Sequence, residues 1–186
     1  MSDKHAHIIY YNYLKPDGSG MSVGGIQTYL ANLIPVLEKC GYGVSVYQRS
    51  YCDFHKNMGS YDVYGVGYKD NYGVQVARAL LDAALPHIDM SNDLLVYGCE
   101  TCISRSVSCK TIAIQHGISW DVPLDKRFSR LRYLRSYVGK SLNAWKTIRR
   151  VGKVDRLVCV DNNFINWHRA IVPYPEVRHI FIPNYD

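Results

Sequence analysis

IIYYNYLKPDGSGMSVGGIQTYLANLIPVLEKCGYGVSVY, residues 8–47, alternates two kinds of apolar pattern, and that alternation decides the fold. Ile8-Ile9-Tyr10-Tyr11 is a short continuous apolar run of the kind a buried strand shows. Lys15-Pro16-Asp17-Gly18-Ser19-Gly20 is rich in turn formers. Ile26, Tyr29, Leu30, Leu33, Ile34 and Leu37 then recur at spacings of three and four, one buried helix face. Gly41 stands where a helix C-terminal cap belongs. Val44-Ser45-Val46-Tyr47 is a second strand. A strand, a helix and a second strand of this kind make a parallel pair with a crossover. Pro35 cannot donate its helical hydrogen bond, so a kink or an early end is expected there.

The same alternation continues outward from this unit. Further strands are expected at Val63–Val66, Leu94–Tyr97, Thr111–Ile114, Arg156–Val160 and His179–Ile182. A helix is expected over Tyr72–Leu85, with Val76, Ala79, Leu80 and Ala83 on one side. No linker or low-complexity tract interrupts the chain. The expected fold is α/β: a Rossmann-like, doubly wound, mainly parallel sheet flanked by helices, forming one domain over residues 1–186. Such sheets bind ligands beyond the carboxyl ends of their strands. Those ends are Asn12–Gly25, Gly98–Cys102, Gln115–Trp120, Asp161–Asn163 and Asn184.

The bulk properties fit one domain. The 186 residues suffice for one well-filled core, and 47% hydrophobic with 20% charged residues is ordinary for a globular chain. No run approaches the ~18 apolar residues of a membrane span, and the first apolar run is too short and polar for a secretory leader. A cytoplasmic setting is expected, with Cys40, Cys52, Cys99, Cys102, Cys109 and Cys159 as free thiols. Cys99-Glu100-Thr101-Cys102 lacks the second half that a structural zinc site needs.

Gly24-Gly25, just ahead of a helix, lets backbone N–H groups approach a phosphate-bearing ligand. Neither Gly18-Ser19-Gly20 nor Gly65-Val66-Gly67 has the third glycine of a dinucleotide fingerprint, which disfavours a nicotinamide dehydrogenase. Gly24-Gly25-Ile26-Gln27-Thr28-Tyr29-Leu30, followed by Gly41-Tyr42-Gly43-Val44-Ser45-Val46, closely resembles the opening of glycosyltransferase family 4. Ile114-Gln115-His116-Gly117 is similar to that family's strand-plus-histidine element. Ile182-Pro183-Asn184-Tyr185-Asp186 is similar to its isoleucine-proline-asparagine-glycine element. Tyr185 departs from the pattern where a glycine is usual. Cys159-Val160-Asp161-Asn162-Asn163 departs where a serine normally starts the helix.

The resemblance implies a GT-B architecture, with this chain as the N-terminal, acceptor-side domain. The donor-binding C-terminal domain, with its paired glutamates, would lie outside it. It implies transfer of a sugar from a nucleotide-sugar to a glycan or lipid-linked acceptor, with retention and without a metal or other cofactor. It places His116 near the transferred sugar as the catalytic candidate, and Gly24, Gly25, Gly117 and Asn184 at the donor or acceptor. From their place on strand-end loops, Glu100 and Asp121 are candidates for binding sugar hydroxyls or acting as a base. The competing reading of His116 is a strand-end histidine bonded to a loop carbonyl.

The +6 net charge is local. Ten basic residues and no acidic ones lie between Lys126 and Lys153, and removing them leaves the rest of the chain at −4. Phe128, Leu131, Leu134, Val138, Leu142, Trp145 and Ile148 recur at helical spacing through that segment, with a break expected near Gly139. Arg127, Arg130, Arg132, Arg135, Lys140, Lys146, Arg149 and Arg150, interleaved with Tyr133, Tyr137 and Trp145, suit an anionic membrane interface. A peripheral position on the inner membrane face is therefore an option, a solvated basic face another. No nucleic-acid module accompanies the patch, and no nucleic acid is expected. Two other functions stay open: half of a GT-B-like sugar-nucleotide epimerase, and a non-catalytic module binding anionic membrane or nucleic acid through residues 126–153.

Overall fold

The computed structural model describes residues 4–118, 129–172 and 178–183. Within them the chain runs β1 (His5–Ile9), α1 (Gly25–Lys39), β2 (Gly43–Ser50), β3 (Phe54–Asn57), β4 (Tyr61–Gly67), α2 (Val74–Ala84), β5 (Leu94–Tyr97), β6 (Lys110–Gln115), α3 (Arg130–Val151), β7 (Arg156–Cys159), α4 (Asn162–Ile171) and β8 (Arg178–Phe181). The strands form one sheet in the order β3-β4-β2-β1-β5-β6-β7-β8, and every pairing is parallel except β3 with β4. With four helices against it, this is the Rossmann-like α/β fold the alternation predicts.

The order turns on β1. The chain leaves β1 for β2 and β4 on one side, then returns to β5, β6, β7 and β8 on the other. Ile9 is therefore paired with Tyr47 on one flank and Tyr97 on the other. Central strands covered on both faces read as continuous apolar runs, and Ile8, Ile9, Val46, Leu95 and Val96 lie in the core. Leu30, Ile34 and Leu37 of α1, and Val76, Ala77, Leu80, Leu81 and Ala84 of α2, complete it.

Four details differ from the sequence reading. α1 passes Pro35 and ends at Lys39, because proline forfeits a single ladder bond and the last turn closes through Cys40 N–H to Val36 and Leu37 carbonyls. Gly41 follows with φ +84°, in the left-handed conformation expected of it. β3 is an antiparallel edge strand that the apolar pattern does not announce, since only every second residue of Phe54–Asn57 is partly covered. α2 starts at Val74, two residues late. α3 is one helix of 22 residues with no break at Gly139.

Candidate active site

β1, β5 and β6 lie side by side, and the chain reverses direction across the sheet at β1, so their carboxyl ends open a crevice. A cavity of about 680 Å³ occupies it. Its walls are Tyr10, Tyr11 and Asn12 after β1, Cys99, Glu100 and Thr101 after β5, and His116, Gly117 and Ile118 after β6. Ile26 of α1, Tyr72 and Gly73 ahead of α2, and Arg150 of α3 close the sides.

His116 is held from two directions. Its Nε2 lies 3.0 Å from the Gly98 carbonyl oxygen, and its ring meets Tyr29 of α1 edge to face at 5.3 Å. A carbonyl can only accept, so Nε2 carries the proton and Nδ1 is left as the acceptor. Burial lowers the His116 pKa, and the Gly98 bond opposes that only in part, so the ring is neutral at neutral pH. His116 thus caps a strand end against a loop carbonyl, as its competing sequence reading has it, and it also lines the cavity.

Gly117 has φ +118°, a conformation that L side chains rarely adopt, and its carbonyl accepts a hydrogen bond from the Gln115 side chain. Gly98 is closely packed: a Cβ there would stand 3.0 Å from Leu30 Cδ1 and from Tyr10 Cβ. The backbone N–H of Gly98 donates to Ile9 while its carbonyl takes the His116 proton, so one residue ties β1, β5 and β6 together.

Glu100 sits in a short 3-10 turn, Glu100–Cys102, and is only 6% exposed. Burial raises its carboxyl above the usual carboxylate range, opposed by its own backbone N–H and by the Arg150 charge. Arg150 comes from the last turn of α3, which lies against that turn. Tyr11 anchors the same turn, its hydroxyl donating to the Thr101 carbonyl at 2.8 Å.

The structure thus brings Glu100, His116 and Gly117 into one cavity. Gly24 and Gly25 lie just outside its walls, at the start of α1, where no side chain caps the helix. A Cβ on Gly24 would collide with the Gln27 amide, which holds the Asn12 carbonyl at 2.9 Å. Asp161 is apart from the cavity and caps α4 through Asn163 N–H. Asp121, Arg127 and Asn184 lie outside the described residues. Arg150 is the residue whose place the sequence did not give: within a run of ten basic residues nothing marks the one that turns toward a strand end. Tyr11 and Tyr72 were equally unmarked among sixteen tyrosines.

Along α3, Arg130, Arg132, Arg135, Lys146 and Arg149 are exposed, and Lys140 is half-buried. The apolar stripe is exposed with them. Leu131, Leu134, Val138, Leu142 and Trp145 face solvent, Leu131 at 78%, and only Thr147 and Val151 are buried. Arg149 stacks over the Trp145 ring at 4.7 Å. No helix among the described residues is long and apolar enough to cross a membrane.

No protein-family model and no curated protein sequence matches the chain. Among solved structures it is similar to sucrose-phosphate synthase from Thermosynechococcus elongatus, with a TM-score of 0.64 at 11% identity. The match covers 97% of this chain and 48% of that one, so the chain spans about half the length of that enzyme. At that identity the likeness is one of fold, and the fold is that of one half of a GT-B structure.

Proposed function

We propose that this chain is the acceptor-side half of a nucleotide-sugar-dependent glycosyltransferase. The supporting observation is the meeting of neutral His116, buried Glu100 and Arg150 in one cavity at the carboxyl ends of β1, β5 and β6, beside the uncapped start of α1. In the overall reaction an acceptor hydroxyl bonds to the anomeric carbon, the nucleoside diphosphate departs, and the hydroxyl proton is released. His116 Nδ1 accepts a hydrogen bond from a sugar or acceptor hydroxyl and fixes its position. Arg150 and the N–H groups of α1 supply positive potential where the diphosphate charge develops. Glu100, its carboxyl raised by burial, binds hydroxyls as donor or acceptor. Retention and independence from metal follow from the resemblance to family 4, as does a second domain that holds most of the donor.

The acceptor is lipid-linked in this reading. The exposed charges of Arg130, Arg132, Arg135, Lys146 and Arg149, with no acidic residue between Arg130 and Lys153, and an apolar stripe left in solvent beside them, match a surface of anionic lipid headgroups.

The test is to incubate the full-length protein with a panel of nucleotide-sugars, with and without membrane extract. Formation of a glycosylated lipid together with free nucleoside diphosphate is the expected outcome. Interconversion of the nucleotide-sugar without any acceptor would replace this reading with the epimerase. The 186-residue chain alone should transfer nothing, and turnover by it at the full-length rate would refute the assignment to half a site.

A further inference from the structure

We propose that Cys99 and Cys102 form a thiol–disulfide exchange site in the cavity wall, with Cys99 as the attacking thiol and Cys102 as the resolving one. The site takes small-molecule disulfides, and it stands whatever sugar chemistry the cavity serves.

Among the six cysteines, this is the pair in sulfur–sulfur contact, at 3.3 Å. The contact is built into the backbone. Cys102 N–H donates to the Cys99 carbonyl at 3.0 Å, which closes the turn and aims both side chains to one side. A disulfide bond of about 2.0 Å therefore needs the sulfurs to close by little more than an ångström, within the reach of side-chain rotation.

The two thiols are unequal. Cys99 lines the cavity at 7% exposure, whereas Cys102 does not line it and is 0% exposed. Cys99 Sγ is 3.1 Å from the Thr101 hydroxyl and 3.3 Å from Cys102 Sγ, and both contacts favour its thiolate. Cys102, with burial and the neighbouring thiolate against it, is held well above the usual thiol range. The thiol at the cavity wall is thus the nucleophile and the one behind it its partner.

The steps balance. The Cys99 thiolate attacks one sulfur of a small disulfide, forming a mixed disulfide and releasing one thiolate. Cys102 loses its proton and attacks the Cys99 sulfur, forming the intramolecular disulfide and releasing the second thiolate. Two protein thiols are oxidised and one external disulfide is reduced to two thiols.

The experiment uses glutathione. The chain is equilibrated at graded ratios of oxidised to reduced glutathione, quenched in acid, alkylated unfolded and digested with trypsin. The peptide 79–105 contains Cys99 and Cys102 and no other cysteine. It should pass from doubly alkylated to unalkylated in one step as the oxidised share rises, and return with dithiothreitol. Cys109 and Cys159, which do not line the cavity, should stay alkylated throughout. In Cys102→Ser a glutathione adduct should accumulate on Cys99, and in Cys99→Ser the remaining Cys102 should take none. A peptide that stays doubly alkylated at ratios that already load exposed Cys40 would overturn the proposal. So would an adduct on Cys102 in the Cys99→Ser chain. If either variant fails to fold, the wild-type titration alone decides.

Discussion

The Nε2 proton of His116 is committed to the carbonyl of Gly98, 3.0 Å away on the neighbouring strand end. The histidine thereby enters any reaction as a neutral ring with one acceptor nitrogen, and not as an acid.

His116→Ala in the full-length enzyme should lower kcat/KM more than tenfold, about 1.4 kcal/mol or more of transition-state stabilisation. Losing the Gly98 bond should cost stability only ~1 kcal/mol. Because the folded pKa is lowered, the His116-dependent part of kcat/KM should stay level from neutral pH down past 6.5. A loss of activity centred at 6.5 or above would show that a charged imidazolium does not fit the site as argued.

Glu100→Gln separates stability from function. A buried carboxyl whose folded pKa is raised stabilises the fold only below that pKa and loses this as pH rises through it. The amide carries no such penalty, so Glu100→Gln should melt higher than wild type at neutral pH. Its kcat/KM should nevertheless fall more than tenfold, ~1.4 kcal/mol. A variant that melts lower and keeps its activity would assign Glu100 to the scaffold.

Gly98→Ala should destabilise by ~1–3 kcal/mol, since the added methyl presses on Leu30 and on the β-carbon of Tyr10 in a filled core. Urea unfolding measures this. A change under half a kcal/mol would mean that α1 and β1 give way easily at this point.

Acid should weaken the fold through histidines that do not line the cavity. Burial holds His7 at about 4 against Asp93, which bonds its Nε2 at 3.2 Å, with His5 and His87 adding like charge. His168 is also held at about 4, beside His179 at 2.8 Å. Both folded values lie below the ordinary 6.5, so the unfolded chain binds more protons between 6.5 and about 4. Between 6.5 and about 4 the melting temperature of His168→Gln should fall less steeply than that of the wild type. A level profile through that range would contradict the burial of both rings.

The full-length protein and this chain should both bind vesicles containing anionic lipid and not neutral ones. Each engaged Lys or Arg adds on the order of 1 kcal/mol, and salt should weaken the binding because screening acts over roughly 8 Å at physiological strength. Replacing Arg127, Arg130, Arg132 and Arg135 with glutamine should release most of it without a change in melting temperature. Trp145 fluorescence should shift to the blue on binding. Equal binding to neutral and anionic vesicles would remove the electrostatic part of this reading.

Most of the sheet was legible because buried parallel strands are apolar without interruption. Leu94–Tyr97 lies where its pattern puts it, and the helical spacing of Leu30, Ile34 and Leu37 names the face that packs. β3 was not legible, because an edge strand needs only half its residues covered and Phe54 alone carries the signal. Gly139 misled for a different reason. A glycine costs an exposed helix only about 1 kcal/mol, which the turns on either side of α3 absorb. Spacing predicts the helix of residues 131–148 but not which face meets the sheet, and Leu131, Leu134, Val138, Leu142 and Trp145 stand in solvent. For the site, His116 and Glu100 were legible as strand ends. Arg150 was not, because its distance from Glu100 is set by how α3 crosses the sheet.

The parallel sheet also gives the molecule two chemically separate poles. His5, His7 and Asp93 gather at the amino ends of the strands, while Glu100 and His116 stand at the carboxyl ends. β1 alone, five residues at roughly 3.3 Å each, sets its two ends about 16 Å apart. A substitution at His7 can therefore change acid tolerance without altering any residue that lines the carboxyl-end cavity.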